Sequence, residues 1–263
     1  MAHSKLARAP RRPPTRPPAR WRPAAGAPPK AAATNGPLDA IPAWSQLKLD
    51  IVRRYGAAYS TISSRQPGLA HYWIDGFIRS GTDTATAPRP HEFAPGSALN
   101  ALLVTPPFRH HYLVNLDGQR VDAVRRAVGG RADVTLLEGD ATRALLEEVL
   151  PRVRQEDYRR ALCVLDPCPP GPDWRVIELA GRLRTIDLFV AFADTPEATP
   201  QALTRRLRED ARFANVMEPL ALRDHAGRTA AHLFFASRNN MANGVVEDIF
   251  TTHRDGRAAG AHG

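Results

Sequence analysis

The feature that most constrains this chain is an alternation. Short apolar runs occupy residues 71–75, 111–117, 133–137, 161–166 and 186–192, and what lies between them is loop or helix-spaced sequence. Runs of that length, apolar nearly throughout, are those of strands buried on both faces. Between them Val121, Val124 and Val128 recur at helical steps, as do Leu145, Leu146, Val149 and Leu150, and then Trp174, Ile177, Leu179, Ala180 and Leu183. Repeated strand–helix–strand units imply a largely parallel sheet covered by helices on both sides.

The flanks extend this plan. Trp44, Leu47, Ile51, Tyr55 and Tyr59 form one apolar helical face, with Lys48, Asp50, Arg53 and Arg54 mostly off it. Residues 82–96 read as a loop, and Ser97 as the N-cap of a helix through Leu99, Leu102 and Leu103. Gly129-Gly130 closes the helix after the second strand, and Pro151 ends or kinks the one after the third. Residues 200–208 form a charged helix. Apolar runs at 214–222 and 230–236 flank Asp224-His-Ala-Gly227 as a closing hairpin, and a helix near 241–250 ends the domain. The expected fold is α/β: a Rossmann-like three-layer sandwich of the methyltransferase type. Its sheet is mostly parallel and seven-stranded, with a terminal β-hairpin.

Charge divides the chain differently. Of the net +9, the first 38 residues hold Lys5, Arg8, Arg11, Arg12, Arg16, Arg20, Arg22 and Lys30 and no acid, leaving the remainder nearly neutral. The pI of 10.3 therefore reflects a tail, not a basic domain face. Residues 1–37, rich in Pro and Arg, are expected to be a disordered basic tail. It is either a solvated extension or an electrostatic grip on nucleic acid or an acidic partner. Residues 38–252 are the expected α/β domain and 253–263 a disordered C-terminal tail. Cys163 and Cys168 fit neither a zinc pattern nor a disulfide scaffold, so no metal site and a reduced, cytoplasmic setting are expected. No apolar run approaches the roughly 18 residues of a membrane span.

Parallel strands all end on one edge of a sheet, and ligands bind outside that edge. Four polar groups close successive strands here: Asp75, then Asn115 or Asp117, then Asp140, then Asp166. A carboxylate after the second strand suits a ribose diol, and an Asp after the third suits an adenine amino group. Asp75-Gly76-Phe77 and Gly81 form a turn that lets the amino-acid end of a nucleoside ligand lie against backbone. With Ala141 beside Asp140, this set is a candidate site for S-adenosylmethionine. Taken singly, each acid serves equally as a turn residue or helix N-cap. Asp166-Pro167 is the candidate catalytic segment, expected to position an acceptor nitrogen or oxygen. It resembles in part the Asp-Pro-Pro-aromatic motif with which methyltransferases hold an exocyclic amine, but no aromatic follows directly here. Trp174, the nearest aromatic, either stacks on a substrate or packs in the core.

Taken together, residues 44–55 (Trp-Ser-Gln-Leu-Lys-Leu-Asp-Ile-Val-Arg-Arg-Tyr), Tyr72-Trp-Ile-Asp-Gly-Phe77 and Gly96-Ser97-Ala-Leu resemble the three-Cys-motif partner proteins. Gly139-Asp140, Leu165-Asp-Pro167 with Trp174, Asp187-Leu-Phe-Val-Ala-Phe192 and His232-Leu-Phe-Phe-Ala-Ser-Arg-Asn239 continue the likeness over about residues 44–250. The resemblance implies a methyltransferase-like fold, an S-adenosylmethionine-type pocket and a protein partner bearing three cysteines. Two departures stand out. The family's Ala-Gly-Pro after Asp-Gly-Phe is Ile78-Arg79-Ser80 here, and its acid after the second strand is Asn115, with Asp117 two residues on. Arg79 either crowds a ligand or pairs with its carboxylate.

Two functions are open on these residues. One is an S-adenosylmethionine-dependent methyltransferase whose acceptor the sequence does not name. The other is a catalytically degenerate binding protein on the same fold, acting through a partner.

Overall fold

The computed structural model describes residues 43–76, 101–115, 122, 124–126, 128–166, 172–193, 199–224 and 226–259. All belong to one compact unit, residues 36–263. The expected Ser97 cap, the 82–96 loop, Arg79, Cys168 and the N-terminal tail lie outside the described residues.

Helix α1 (Ala43–Ser64) precedes strand β1 (Ala70–Gly76). Strands β2 (His110–Asn115) and β3 (Val134–Glu138) follow, then helix α2 (Ala141–Arg143). This short helix widens into a π-helix (Ala144–Val149) and closes in a 3-10 turn (Leu150–Arg152). Pro151 sits in that turn, where its missing N–H costs no helical bond. Then come β4 (Arg159–Leu165), α3 (Trp174–Leu183), β5 (Ile186–Ala193) and α4 (Pro200–Glu209). The short strands β6 (Asn215–Val216) and β7 (Leu220–Arg223), the long β8 (Thr229–Ser237) and α5 (Asn240–Ala259) complete the order. Helix α5 runs seven residues beyond 252, where the sequence reading ends the domain.

The sheet order is β3-β2-β1-β4-β5-β8-β6, with β7 also on β8. Strands β1 to β5 pair in parallel, and β8 lies antiparallel to β5. The expected closing hairpin is present, but its first arm is broken. Asn215 and Val216 pair with Ser237 and Ala236, whereas Leu220 to Arg223 pair further along the same strand. Pro219 lies at the break, and proline cannot donate to a sheet ladder. Seven strand positions are thus filled by eight strands. This is the doubly wound, methyltransferase-type Rossmann-like sandwich.

Alternate residues of each strand feed two apolar layers. Tyr72, Ile74, Cys163, Leu165, Leu188 and Val190 face α3, α4 and the π-helix. Trp73, Leu113, Leu162, Val164 and Phe189 face α1 and α5. Helix α1 lies close because Gly56 has no side chain: a Cβ there would stand 2.6 Å from the Trp73 ring. Helix α3 meets the following chain the same way, a Cβ on Gly181 falling 1.8 Å from the Ala211 carbonyl oxygen.

Candidate functional site

The register fixes which polar groups share an edge. Asp75 is level with Leu113 of β2 and Val164 of β4, and Gly76 with Val114 and Leu165. Asn115 is level with Glu138 of β3. The carboxyl ends of β1, β2, β3 and β4 therefore lie side by side, with Asp166 one residue beyond β4. Phe77, Gly81, Asp117 and Pro167 fall outside the described residues, and for Asn115 only the backbone is described.

Each described residue has a distinct setting. Asp75 is buried in β1. Gly76 is buried too, and a Cβ on it would meet the side chains of Leu165 at 2.7 Å and Leu145 at 3.0 Å. The space left by its missing side chain is thus filled by the protein's own core. Asp140 is exposed and is the N-cap of α2, its carboxylate accepting from the Arg143 backbone N–H at 3.1 Å. Gly139 before it has φ +111, which turns the chain sharply from β3 into that helix. Ala141 is buried beneath this turn. Glu138, next to Asn115 on the adjacent strand, is exposed and adds a carboxylate that the sequence reading did not assign to the site.

Asp166 is engaged from an unexpected direction. Its Oδ2 accepts from Lys48 Nζ of α1 in a direct ion pair. The Lys48 side chain is 4% exposed and that of Asp166 17%. The Lys48 ammonium also lies 5.5 Å from the centroid of the Trp44 ring one turn earlier, within cation–π range. The sequence reading put Lys48 off the apolar face of α1. It is instead buried, because its partner carboxylate, 118 residues away, meets it at the sheet edge. No local pattern carries that signal. Asp50 of the same helix pairs with Arg53 and Arg54, as its spacing implies.

Trp174 opens α3, whose N-cap is Asp173. Arg206 of α4 lies over the indole ring at 3.8 Å, and Phe192 packs at 6.3 Å. The ring is joined to the core beneath α3 and is covered by Arg206. A groove of about 620 Å³ runs between α4 and the β6–β8 edge, lined in part by Gln201, Arg205, Arg208 and His232. His232 is level with Phe192 of β5, and Val216, also in the lining, is level with Ala236 of β8.

Other titratable groups serve the fold. Asp187 is buried and accepts from Tyr55 Oη at 2.6 Å and from Ser237 Oγ at 2.5 Å. Burial drives the Asp187 carboxyl up from the ordinary aspartate range, and it raises the Tyr55 hydroxyl as well. Cys163 is buried in mid-strand, and desolvation pushes its thiol well above the usual range. It is a small apolar filler and not a nucleophile. Among the described residues no His, Cys, Asp and Glu group gathers as a metal site. No described helix is long and apolar enough to cross a membrane.

The fold defines the class: an α/β protein of methyltransferase-like fold, with the carboxyl ends of β1 to β4 side by side. Comparison with known proteins refines this only at the level of architecture. Neither any family model nor any curated protein matches the sequence. Among solved structures the chain is similar to protein LPL1258 of Legionella pneumophila, of family DUF519. The TM-score is 0.53 at 10% identity, over 78% of this chain and 90% of that one. A candidate methyltransferase of Thermobifida fusca aligns with a TM-score of 0.44 at 14% identity, over 74% and 79% of the two chains. The candidate methyltransferase YhhF of Escherichia coli gives 0.37 at 13%, over 72% and 86%. At such identities the first likeness bears on fold alone, and the two lower scores carry no further weight.

Proposed function

We propose that this chain is an S-adenosylmethionine-dependent, methyltransferase-like protein of the three-Cys-motif partner type, whose methyl acceptor is a nitrogen or oxygen held at Asp166. The observation that carries the reading is the side-by-side placement of Asp75-Gly76, Asn115, Glu138-Gly139-Asp140 and Asp166 at adjacent strand ends. That edge is where an open parallel sheet takes its ligand.

The donor set suits a nucleoside. Asn115 and its strand neighbour Glu138 are assigned to ribose hydroxyls, and Asp140 with the Ala141 backbone to an adenine edge. Asp75, Gly76, Phe77 and Gly81 are assigned to the amino-acid end, and Asp117 is a further ribose candidate. When bound, S-adenosylmethionine supplies a sulfonium-activated methyl carbon. The protein's share is alignment. Asp166, with Pro167 as the other candidate catalytic residue, accepts from the N–H or O–H of the acceptor.

One observation favours a second reading, a catalytically degenerate binding protein that works through a protein partner. Asp166, the residue needed for an acceptor, is already paired with Lys48.

Calorimetric titration of the folded protein with S-adenosylmethionine and S-adenosylhomocysteine tests the first reading. The control is Asp140→Asn rather than Asp140→Ala, because Asp140 also caps α2 and the amide retains an N-cap acceptor. Saturable binding that Asp140→Asn weakens supports the reading. No heat from folded protein at high ligand leaves the binding-protein alternative.

A further inference from the structure

The Lys48–Asp166 pair has the composition of a ligand site. A carboxylate accepts from a primary ammonium, an aromatic ring lies 5.5 Å from that ammonium, and the ammonium is almost wholly withdrawn from water. Carboxylate plus aromatic face is a cation-recognition set. Its occupant here is a side chain of the chain itself, brought in by α1. The rest of α1 is held without this pair, by Tyr55 on Asp187 and by Ile51 and Val52 in the core.

We propose that Asp166 and Trp44 form a primary-ammonium subsite that Lys48 fills in the resting protein. The external ligand is then an alkylammonium of the lysine side-chain type, which enters by exchange with Lys48. The inference deepens the acceptor half of the proposed function and rests on Asp166 being the acceptor holder. It names the acceptor as a cationic alkylamine and not a neutral ring amine. It also reconciles the two functional readings, since an occupied Asp166 is a closed state of the site. Methyl transfer to such a ligand forms an N–C bond and breaks the donor C–S bond, releasing a neutral thioether. The ammonium gives up one proton to solvent first, and Asp166 holds the remaining N–H groups of the amine in line with the methyl carbon.

The test uses the full chain with Lys48→Ala. This truncation removes three methylenes and an ammonium, which n-propylammonium replaces atom for atom. Thermal unfolding is followed in n-propylammonium chloride, with sodium chloride and tetramethylammonium chloride at equal ionic strength. The expected result is a lowered Tm in Lys48→Ala, with about half or more of the loss recovered saturably by n-propylammonium alone. The wild type, whose subsite is filled, shifts much less. Lys48→Ala/Asp166→Asn shows no recovery. Should Lys48→Ala not fold unaided, refolding yield in n-propylammonium against sodium is the readout. Equal effects of all three salts, equal shifts in wild type and variant, or recovery that survives Asp166→Asn would each overturn the proposal. No methyl donor is present, so failure of donor binding and failure of the ammonium subsite are read separately.

Discussion

At the scale of single residues, the structure assigns cost where chemistry and space leave no alternative. A Cβ on Gly181 collides with backbone, the Ala211 carbonyl, and no rotamer relieves it. Gly181→Ala is expected to destabilise by about 3 kcal/mol, read as a shift in denaturation midpoint. Arg184 points the other way. It ends α3 with φ 64, a conformation that disfavours side chains. Arg184→Gly is expected to raise stability by roughly 0.5–1 kcal/mol, and a lowered Tm would contradict this. Lys48 was not legible in the sequence. A lysine among apolar helical positions reads as solvent-facing, and only the tertiary meeting with Asp166 makes it buried. Gly76 was legible as a glycine that matters. Its described reason is packing against Leu165 and Leu145.

At the scale of elements, α1 is the piece whose attachment decides the site. Its periodic apolar face was legible from Trp44 to Tyr59, because helix spacing is local. Its polar anchors were not, because each partner comes from elsewhere in the chain: Asp166 after β4 and Asp187 in β5. Tyr55→Phe leaves one oxygen of a buried carboxylate without its hydroxyl donor. A loss of about 1–3 kcal/mol is expected in chemical denaturation. Amide exchange in the second half of α1 is expected to accelerate in that variant more than exchange in α4, which lacks this anchor. The strands of the parallel half were legible as apolar runs. The broken edge formed by β6 and β7 was not, since a two-residue strand carries no period. The π-helical widening after α2 likewise has no pattern of its own in the residues Ala144–Val149.

At the scale of the whole molecule, acid sensitivity follows from three histidines in and beside the sheet. His71, His110 and His111 all have pKa values lowered from 6.5, chiefly by desolvation. His71 is bonded to Ser60 at 2.8 Å and His110 to Thr135 at 2.8 Å, while the Asp133 carboxylate 3.9 Å from His111 only partly offsets burial. Below pH 6.5 the unfolded chain binds protons that the folded chain refuses, so stability falls as pH drops from 6.5 through the folded values. A Tm profile between pH 8 and pH 5 is expected to decline on the acid side, more shallowly in His111→Asn. A flat profile would contradict the assignment.

The sequence by itself determined the α/β class, the parallel half of the sheet and the edge on which its polar residues collect. These follow from local hydrophobic period and from the rule that parallel strands end together. Tertiary structure alone decided that Asp166 is held by Lys48, that Arg206 covers Trp174, and that the seventh strand position is split in two. Each of these depends on groups far apart in the chain meeting at one point. Hydrophobic periodicity records which face of an element is buried, not which distant charge or ring will meet it there.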